Sequence, residues 1–230
     1  MNYIIETILD LLFPRRCPVC GQIIMPKGNL ICPGCIRKLS WVRGPVCKCC
    51  GKEIISETAE YCSDCAIHPR SFSNGMALLN YNEISAPSWQ RSSITTIGNI
   101  WIFMQRLHIE SMLPGSPAYH RILSFRCRYT KSRMKKRGFN QAEEFGKRLS
   151  HYLEIPMNSS LLIRSKKTVP QKDLGPALRL KNLEQAFSCR KLPYRMKKVL
   201  LIDDIYTTGS TAEACSRALK KAGAEQVFFL

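Results

Sequence analysis

The sequence predicts an α/β protein that carries a small metal-binding module near its N-terminal end. One observation is the order of a strand, a loop and a helix: the apolar run Val199–Ile202 leads into two carboxylates, a loop of small residues and an amphipathic stretch that ends near Gly223. Another is that nine of the 12 cysteines lie between residues 17 and 65. The third is composition: 45% of the 230 residues are hydrophobic, which is enough for a packed core in one or two domains.

The segment after Val199–Ile202 has the features of a phosphate-binding loop. A loop that opens a helix presents free N–H groups and the positive end of the helix dipole, and both favour a phosphate. Gly209 allows close approach of the backbone, whereas the carboxylates Asp203 and Asp204 suit sugar hydroxyls or a magnesium ion. The segment therefore suits a ligand with a phosphate and a diol, although an ordinary strand–turn–helix with a solvated acidic pair has the same outline.

From Asp203 to Thr211 the chain reads Asp-Asp-Ile-Tyr-Thr-Thr-Gly-Ser-Thr, which after an apolar strand resembles the phosphoribosyl pyrophosphate (PRPP) loop of type I phosphoribosyltransferases. The resemblance implies a phosphoribosyltransferase-like parallel sheet flanked by helices, with the ligand at the carboxyl ends of the strands. It implies that Asp203 and Asp204 are the catalytic pair on the ribose hydroxyls, with Mg²⁺ accompanying PRPP. The implied 5′-phosphate ligands are Thr207, Thr208, Gly209, Ser210 and Thr211.

Four Cys-x-x-Cys knuckles begin 15 residues apart. Two thiolates on one tight turn can face the same metal ion, and two such pairs complete a tetrahedron. We therefore predict two zinc sites with about two structural zinc ions, in which either neighbouring or alternate knuckles are partners. A disulfide framework needs secretion, and residues 1–13 lack the basic region of a signal peptide. The predicted ligands are Cys17, Cys20, Cys32, Cys35, Cys47, Cys50, Cys62 and Cys65.

The remaining cysteines are not predicted ligands. Cys49 is a ninth thiol inside the module, and Cys127, Cys189 and Cys215 are isolated thiols that we expect to be packed or idle. Because so short a segment has little core, metal binding is expected to drive its folding. We interpret the module as structural first, with contact to nucleic acid or a partner as the second interpretation.

The chain is strongly basic, with a formal net charge of +18 and a pI near 9.6. This balance predicts attraction to phosphates, whether of a nucleotide or of a nucleic acid. No apolar run reaches 18 residues, so no transmembrane helix is expected. Residues 1–13 are apolar at helical spacing and are predicted to form a short packing helix, with apposition to a membrane as a weaker alternative.

A cysteine-knuckle module followed by a PRPP loop resembles the ComF proteins of bacterial DNA uptake, of the ComFC type. The resemblance begins at Leu12–Cys17, resumes at Arg137–Ala142 and continues at scattered positions between Arg164 and Phe187. It implies a module at residues 1–68 and a phosphoribosyltransferase-like domain at residues 69–230, with a mobile flap over residues 164–187. It also implies further substrate-binding residues beside the loop, namely Arg137, Asn140 and Gln141.

The resemblance implies a competence protein required for DNA uptake in natural transformation. The implied partners are PRPP, single-stranded DNA and the competence helicase of the same operon, and the implied location is the cytoplasm, peripheral to the membrane-bound uptake machinery. Two classes of function stay open: an enzyme that transfers ribose phosphate to an acceptor that the sequence does not identify, and a DNA-binding or adaptor module without turnover.

Residues 84–130 depart from the family pattern. ComF proteins have here an apolar strand that ends in Pro-Val-Pro-Leu, whereas this chain has Phe125-Arg-Cys-Arg-Tyr-Thr-Lys131. Those seven residues can be encoded as TTC CGG TGC CGT TAC ACA AAA, and removal of the first two bases gives Pro-Val-Pro-Leu-His-Lys. We therefore hypothesise that residues 84–130 are read out of frame, which would leave the sheet incomplete.

Residues 76–81, 155–163 and 226–230 are predicted as further strands.

Overall fold

A computed structural model describes residues 14, 16–25, 29, 31–85, 122–126, 141–152, 154–164, 186–192, 197–203 and 205–230, with the backbone alone for residues 122–126. The chain divides into two compact units. The first comprises Met1–Ser40 and Tyr81–Leu113, and the second comprises Trp41–Asn80 and Pro114–Leu230. The boundary predicted near residue 68 stays a prediction.

The described residues form four helices and seven strands. The helices are α1 (Pro33–Lys38), α2 (Ser63–Ile67), α3 (Gln141–Tyr152) and α4 (Ser210–Lys221). The strands are β1 (Asn74–Gly75), β2 (Ile122–Arg126), β3 (Met157–Asn158), β4 (Leu162–Arg164), β5 (Phe187–Cys189), β6 (Lys198–Ile202) and β7 (Gln226–Phe229). Within these ranges no helix is both long and apolar enough to cross a bilayer.

The first unit is organised around one pair of cysteine knuckles and helix α1. An antiparallel bridge joins Arg16 to Ile23 on either side of the first knuckle. Ile24, Ile31 and Leu39 are buried in this unit together with two of its cysteines. Among the described residues of this unit, the thiols form part of the packed interior, as expected where a metal site organises a short segment.

The second unit contains a five-stranded, wholly parallel sheet in the order β1-β7-β6-β2-β3. Strand β6 lies at its centre because its apolar run is suited to burial on both faces: Val199, Leu201 and Ile202 are fully buried. The parallel sheet implied by the sequence is thus confirmed. A separate antiparallel pair, β4 with β5, joins Leu162–Arg164 to Phe187–Cys189.

Helix α4 makes the crossover between the parallel neighbours β6 and β7. Its apolar stripe is buried, including Ala214, Ala218 and Leu219. The helix ends where predicted: Ala222 is its C-cap and Gly223 follows with φ +109, a conformation that glycine adopts without strain. The crossover places the loop before α4 at the carboxyl edge of the sheet, next to the ends of β6 and β7.

The other strand predictions agree with the structure only in part. Residues 226–230 contain β7, as predicted, and residues 155–163 contain β3 and the start of β4 rather than one strand. The strand predicted at residues 76–81 is wrong in position. Asn74 and Gly75 pair with Phe228 and Phe229, whereas within 76–81 Leu79 forms only an isolated bridge, to Trp41.

The atypical segment 84–130 is described only at residues 84, 85 and 122–126. Strand β2 occupies the sheet position next to β6, with Ile122 opposite Lys198 and Arg126 opposite Ile202. In the part of the chain that the structure describes, the sheet is therefore continuous from β1 to β3, and the expected incompleteness is not observed. The reading frame of this segment stays a prediction.

Candidate metal centres and phosphate loop

The eight predicted cysteine ligands form two clusters, each made by neighbouring knuckles. Cys17, Cys20, Cys32 and Cys35 form the first cluster, and Cys47, Cys50, Cys62 and Cys65 form the second; within each, the Sγ atoms lie within 4.8 Å of one another. The choice between neighbouring and alternate pairing, which the sequence left open, is thus resolved in favour of neighbours.

The sulfur positions fit a tetrahedral zinc ion. Zn–S bonds of about 2.3 Å in a tetrahedron place the sulfurs about 3.8 Å apart. The Sγ atoms of Cys20 and Cys32 are 3.9 Å apart in the first cluster, and those of Cys50 and Cys62 are 3.7 Å apart in the second. Two sites of four thiols are consistent with about two zinc ions. Both ions would be structural, because four thiols leave no ligand position for a reacting water.

Both clusters use the same local structure, in which a knuckle turn faces the start of a short helix. In the knuckles, Gly21 and Gly51 have φ values of +76 and +71, and each donates its N–H to the carbonyl of the first cysteine at 2.8 and 2.9 Å. In the helical halves, Cys32 and Cys62 are the N-cap residues of α1 and α2. A glycine after the knuckle is needed because L side chains are strained at these φ values.

Backbone N–H groups prepare one thiol of each cluster for metal binding. Burial by itself raises the pKa of the Cys17 thiol, but hydrogen bonds from the backbone of Cys20, Cys32 and Val19 outweigh it and lower the pKa to about 7. Cys47 in the second cluster likewise has its pKa lowered to about 7 by backbone hydrogen bonds that outweigh burial. A thiolate is the form that binds zinc, so these bonds favour the ligand state near neutral pH.

The two clusters differ in their surroundings. In the first, Cys20 is exposed and Cys32 is half-buried, whereas all four cysteines of the second are buried. The second cluster belongs to the same hydrophobic core as Val199 and Leu201 of β6 and Phe229 of β7. The second metal centre is therefore part of the interior of the sheet-containing unit.

The predicted phosphate loop joins β6 to α4 at the carboxyl edge of the sheet. Gly209 is the N-cap of α4 with φ +73, and no side chain among the described residues caps the helix. The first N–H groups of α4 therefore lack a side-chain cap, which is the arrangement that favours an anion. The hydroxyls of Thr208 and Ser210 lie 2.9 Å apart beside this helix start.

The structure describes only some of the remaining predicted ligand residues. Asp203 directly follows β6 and is half-buried, and its N–H donates to the carbonyl of Leu230 at 2.9 Å. Thr207 is exposed and Thr211 is half-buried in the first turn of α4. Gln141 is the first residue of α3. Asp204, Arg137, Asn140 and residues 165–185 of the predicted flap lie outside the described residues.

The side chain of Tyr206 packs against the loop and fixes its shape. Its ring packs 5.1 Å from the ring of Phe229, and any side chain at Gly209 would overlap its hydroxyl. Burial raises the pKa of the Tyr206 hydroxyl, and the adjacent Cys50 thiolate raises it further, so the group stays neutral. Glycine at position 209 is thus required both by the positive φ and by this close contact.

Three residues that hold the loop are not among the predicted site residues. Arg70 donates to the carbonyl oxygen of Thr208 at 2.8 Å, and Ser71 donates to the buried carboxylate of Glu213 in the first turn of α4. An acidic residue in a first helical turn is a recognisable signal, so Glu213 could have been singled out. Arg70 and Ser71 carry no sequence signal, because their partners are 138 and 142 residues away.

Comparisons with known proteins find relatives that span nearly the whole chain. The double zinc ribbon domain family matches residues 8–66. Competence protein F of Haemophilus influenzae is 29% identical over 94% of this chain and 95% of its own length. DNA utilization protein YhgH of Salmonella typhi is 27% identical over 93% of this chain and 94% of its own length. Competence protein ComFC of Bacillus subtilis is 25% identical over 87% of this chain and 82% of its own length.

Proposed function

Because the chain is a homologue of competence protein F and ComFC with a double zinc ribbon at its N-terminal end, we propose that it acts in DNA uptake during natural transformation. We further propose that the loop between β6 and α4 binds PRPP. The observation that supports this site best is the start of α4, where Gly209 has φ +73 and no side chain of the described residues caps the helix, at the carboxyl edge of a parallel sheet.

The proposed roles follow the chemistry of each group. The N–H groups and hydroxyls of residues 207–211 hold the 5′-phosphate, and the carboxylates of Asp203 and Asp204 accept hydrogen bonds from the ribose hydroxyls, with Mg²⁺ bound together with PRPP. Arg137, Asn140 and Gln141 are proposed as further substrate-binding residues. As an enzyme, the protein would transfer the ribose phosphate of PRPP to an acceptor and release pyrophosphate.

Calorimetric titration with PRPP and Mg²⁺ tests this site directly. We expect micromolar binding to the wild type and its loss in the double variant Asp203→Ala, Asp204→Ala. Because Asp203 lies at the edge of the sheet rather than in its core, the double variant should melt at nearly the same temperature. Unchanged affinity in a folded double variant would overturn the assignment.

A second candidate function is a single-stranded-DNA-binding or adaptor module without turnover, working with the competence helicase. The net charge of +18 favours it, since Lys and Arg neutralise DNA phosphates and release counterions. Fluorescence-anisotropy titrations of a labelled oligonucleotide should then show affinity that falls steeply with salt. Affinity that stays constant from low to physiological salt would exclude a contact driven by phosphates.

We propose a cytoplasmic location at the inner side of the uptake machinery. Eight cysteines in two four-thiol clusters need a compartment in which thiols stay reduced, since oxidation to disulfides would prevent metal binding. Cell fractionation of a tagged strain checks this proposal. Recovery of the protein outside the cytoplasmic and inner-membrane fractions would contradict it.

A further inference from the structure

We infer that the second cysteine cluster is part of the scaffold of the phosphate loop, and that Arg70 is the positioning residue that joins the two. The inference deepens the proposed function, because it assigns to one of the two metal centres the task of holding the ligand loop in shape. The coupling between cluster and loop is a property of the protein without ligand, so it can be tested apart from PRPP binding.

Arg70 follows Cys65 by five residues and contacts the phosphate loop directly. One guanidinium nitrogen donates to the carbonyl oxygen of Thr208 at 2.8 Å. Arg70 therefore joins the segment that follows Cys65 to the backbone of the loop.

The charge balance explains why an arginine suits this position. Four thiolates and one Zn²⁺ carry a net charge of about −2, which favours a cation close by. Arg70 is half-buried and supplies such a cation on the segment that leaves the cluster. Its planar group presents several donors in fixed directions, so it can hold a backbone carbonyl with a defined geometry, which a lysine does less well.

A second link runs from the next residue to helix α4. The backbone N–H and the hydroxyl of Ser71 donate to the two carboxylate oxygens of Glu213 at 2.7 and 2.6 Å, and Glu213 is only 1% exposed. Arg217 neutralises the same carboxylate at 2.6 Å. The segment that directly follows α2 and Cys65 is thereby attached both to the loop and to the first turn of α4.

The knuckle half of the cluster is attached to the sheet as closely. Gly75 of β1 donates its N–H to the carbonyl of Cys49 at 2.6 Å, and a Cβ at Gly75 would lie 2.8 Å from the carbonyl oxygen of Cys50. Tyr206, whose ring supports the loop, packs against the hydrophobic core that contains Cys50. Both halves of the second cluster therefore contact elements that shape the loop, so release of its metal ion is expected to loosen the loop.

Hydrogen–deuterium exchange of the zinc-loaded, ligand-free protein tests the inference. We expect Arg70→Met to retain two zinc ions and to exchange the amides of residues 207–213 about tenfold faster, the factor that loss of one charge-assisted hydrogen bond implies. Arg70→Lys keeps the positive charge but lacks the planar guanidinium group, so the loop amides should exchange at an intermediate rate. Unchanged exchange in the loop of Arg70→Met, or equal acceleration throughout the sheet, would overturn the positioning role.

The two clusters provide a matched control for the metal itself. The variant Cys47→Ser, Cys50→Ser removes the second site, and Cys17→Ser, Cys20→Ser removes a site of the same composition in the other unit. We expect faster exchange of residues 207–213 in the first variant only. Equal loop exchange in the two variants would overturn the inference.

Zinc release distinguishes this inference from the proposed function. If both hold, saturating PRPP raises the affinity for one of the two zinc ions in equilibrium competition with a chromogenic chelator, since coupling between two sites is reciprocal. If the exchange results are as expected but PRPP does not bind, the coupling stands and the PRPP assignment fails. If PRPP binds normally in Arg70→Met with unchanged loop exchange, the PRPP assignment stands and the inference fails.

Discussion

Gly209 shows how one residue serves backbone shape and packing at the same time. Its φ of +73 starts helix α4 without a side-chain cap, and the absence of a side chain makes room for the Tyr206 hydroxyl. Gly223 also has a positive φ, but a Cβ there would meet nothing within 4 Å. The two glycines therefore separate the cost of backbone strain from the cost of steric overlap.

We predict that Gly209→Ala destabilises the protein more than Gly223→Ala and weakens PRPP binding, whereas Gly223→Ala leaves binding unchanged. A left-handed conformation costs an L side chain about 1–2 kcal/mol, and at Gly209 the overlap with Tyr206 adds to this. Thermal melts and calorimetric titration of both variants measure the two effects. Equal losses of stability in the two variants would show that Tyr206 yields easily.

At the level of the element, the two zinc ribbons share one cysteine pattern that repeats after 30 residues, as the spacing of Cys17 and Cys47 shows. The sequence predicted eight ligands from spacing, and each cluster joins a glycine-containing knuckle to a helix whose N-cap is a cysteine. Spacing could not decide the partners, because neighbouring and alternate knuckles satisfy the same local geometry. Only the three-dimensional path of the chain brings the sulfurs to 3.7–3.9 Å.

Zinc affinity is predicted to rise steeply with pH. Burial and neighbouring cysteines raise the pKa of the Cys32 thiol to about 11 and that of Cys35 to about 12, so both are protonated near neutral pH in the metal-free protein. Zinc binds thiolates, so binding releases at least these two protons, and affinity should fall about 100-fold for each pH unit lowered.

Competition with a chelator between about pH 7 and pH 8 measures this slope. The variant Cys47→Ser, Cys50→Ser, which retains only the first cluster, isolates the site in question. Below about pH 7 the Cys17 thiolate also takes up a proton, so the dependence should become steeper there. A change of tenfold or less per pH unit would mean that fewer than two protons leave.

At the scale of the whole molecule, the parallel sheet includes a strand from the segment that we hypothesise to be read out of frame. Strand β2 lies between β6 and β3, and its last two residues, Phe125 and Arg126, begin the stretch in which a two-base shift would give Pro-Val-Pro-Leu. We predict that resequencing of the gene finds one shift near codon 84 and a compensating one near codon 130. An unshifted frame, with peptide masses of the purified protein that match the printed sequence, would contradict the hypothesis.

The sequence by itself determined the parts of this protein whose physics is local. Four evenly spaced knuckles specify thiol clusters, and an apolar run followed by carboxylates, small residues and a helix specifies β6, the loop and α4, because each needs only neighbours a few residues away. The tertiary structure alone decided which knuckles are partners, and that the second cluster lies in the core beside the loop. Arg70 and Ser71 acquire their roles through contacts 138 and 142 residues distant, and no local pattern encodes so long a separation.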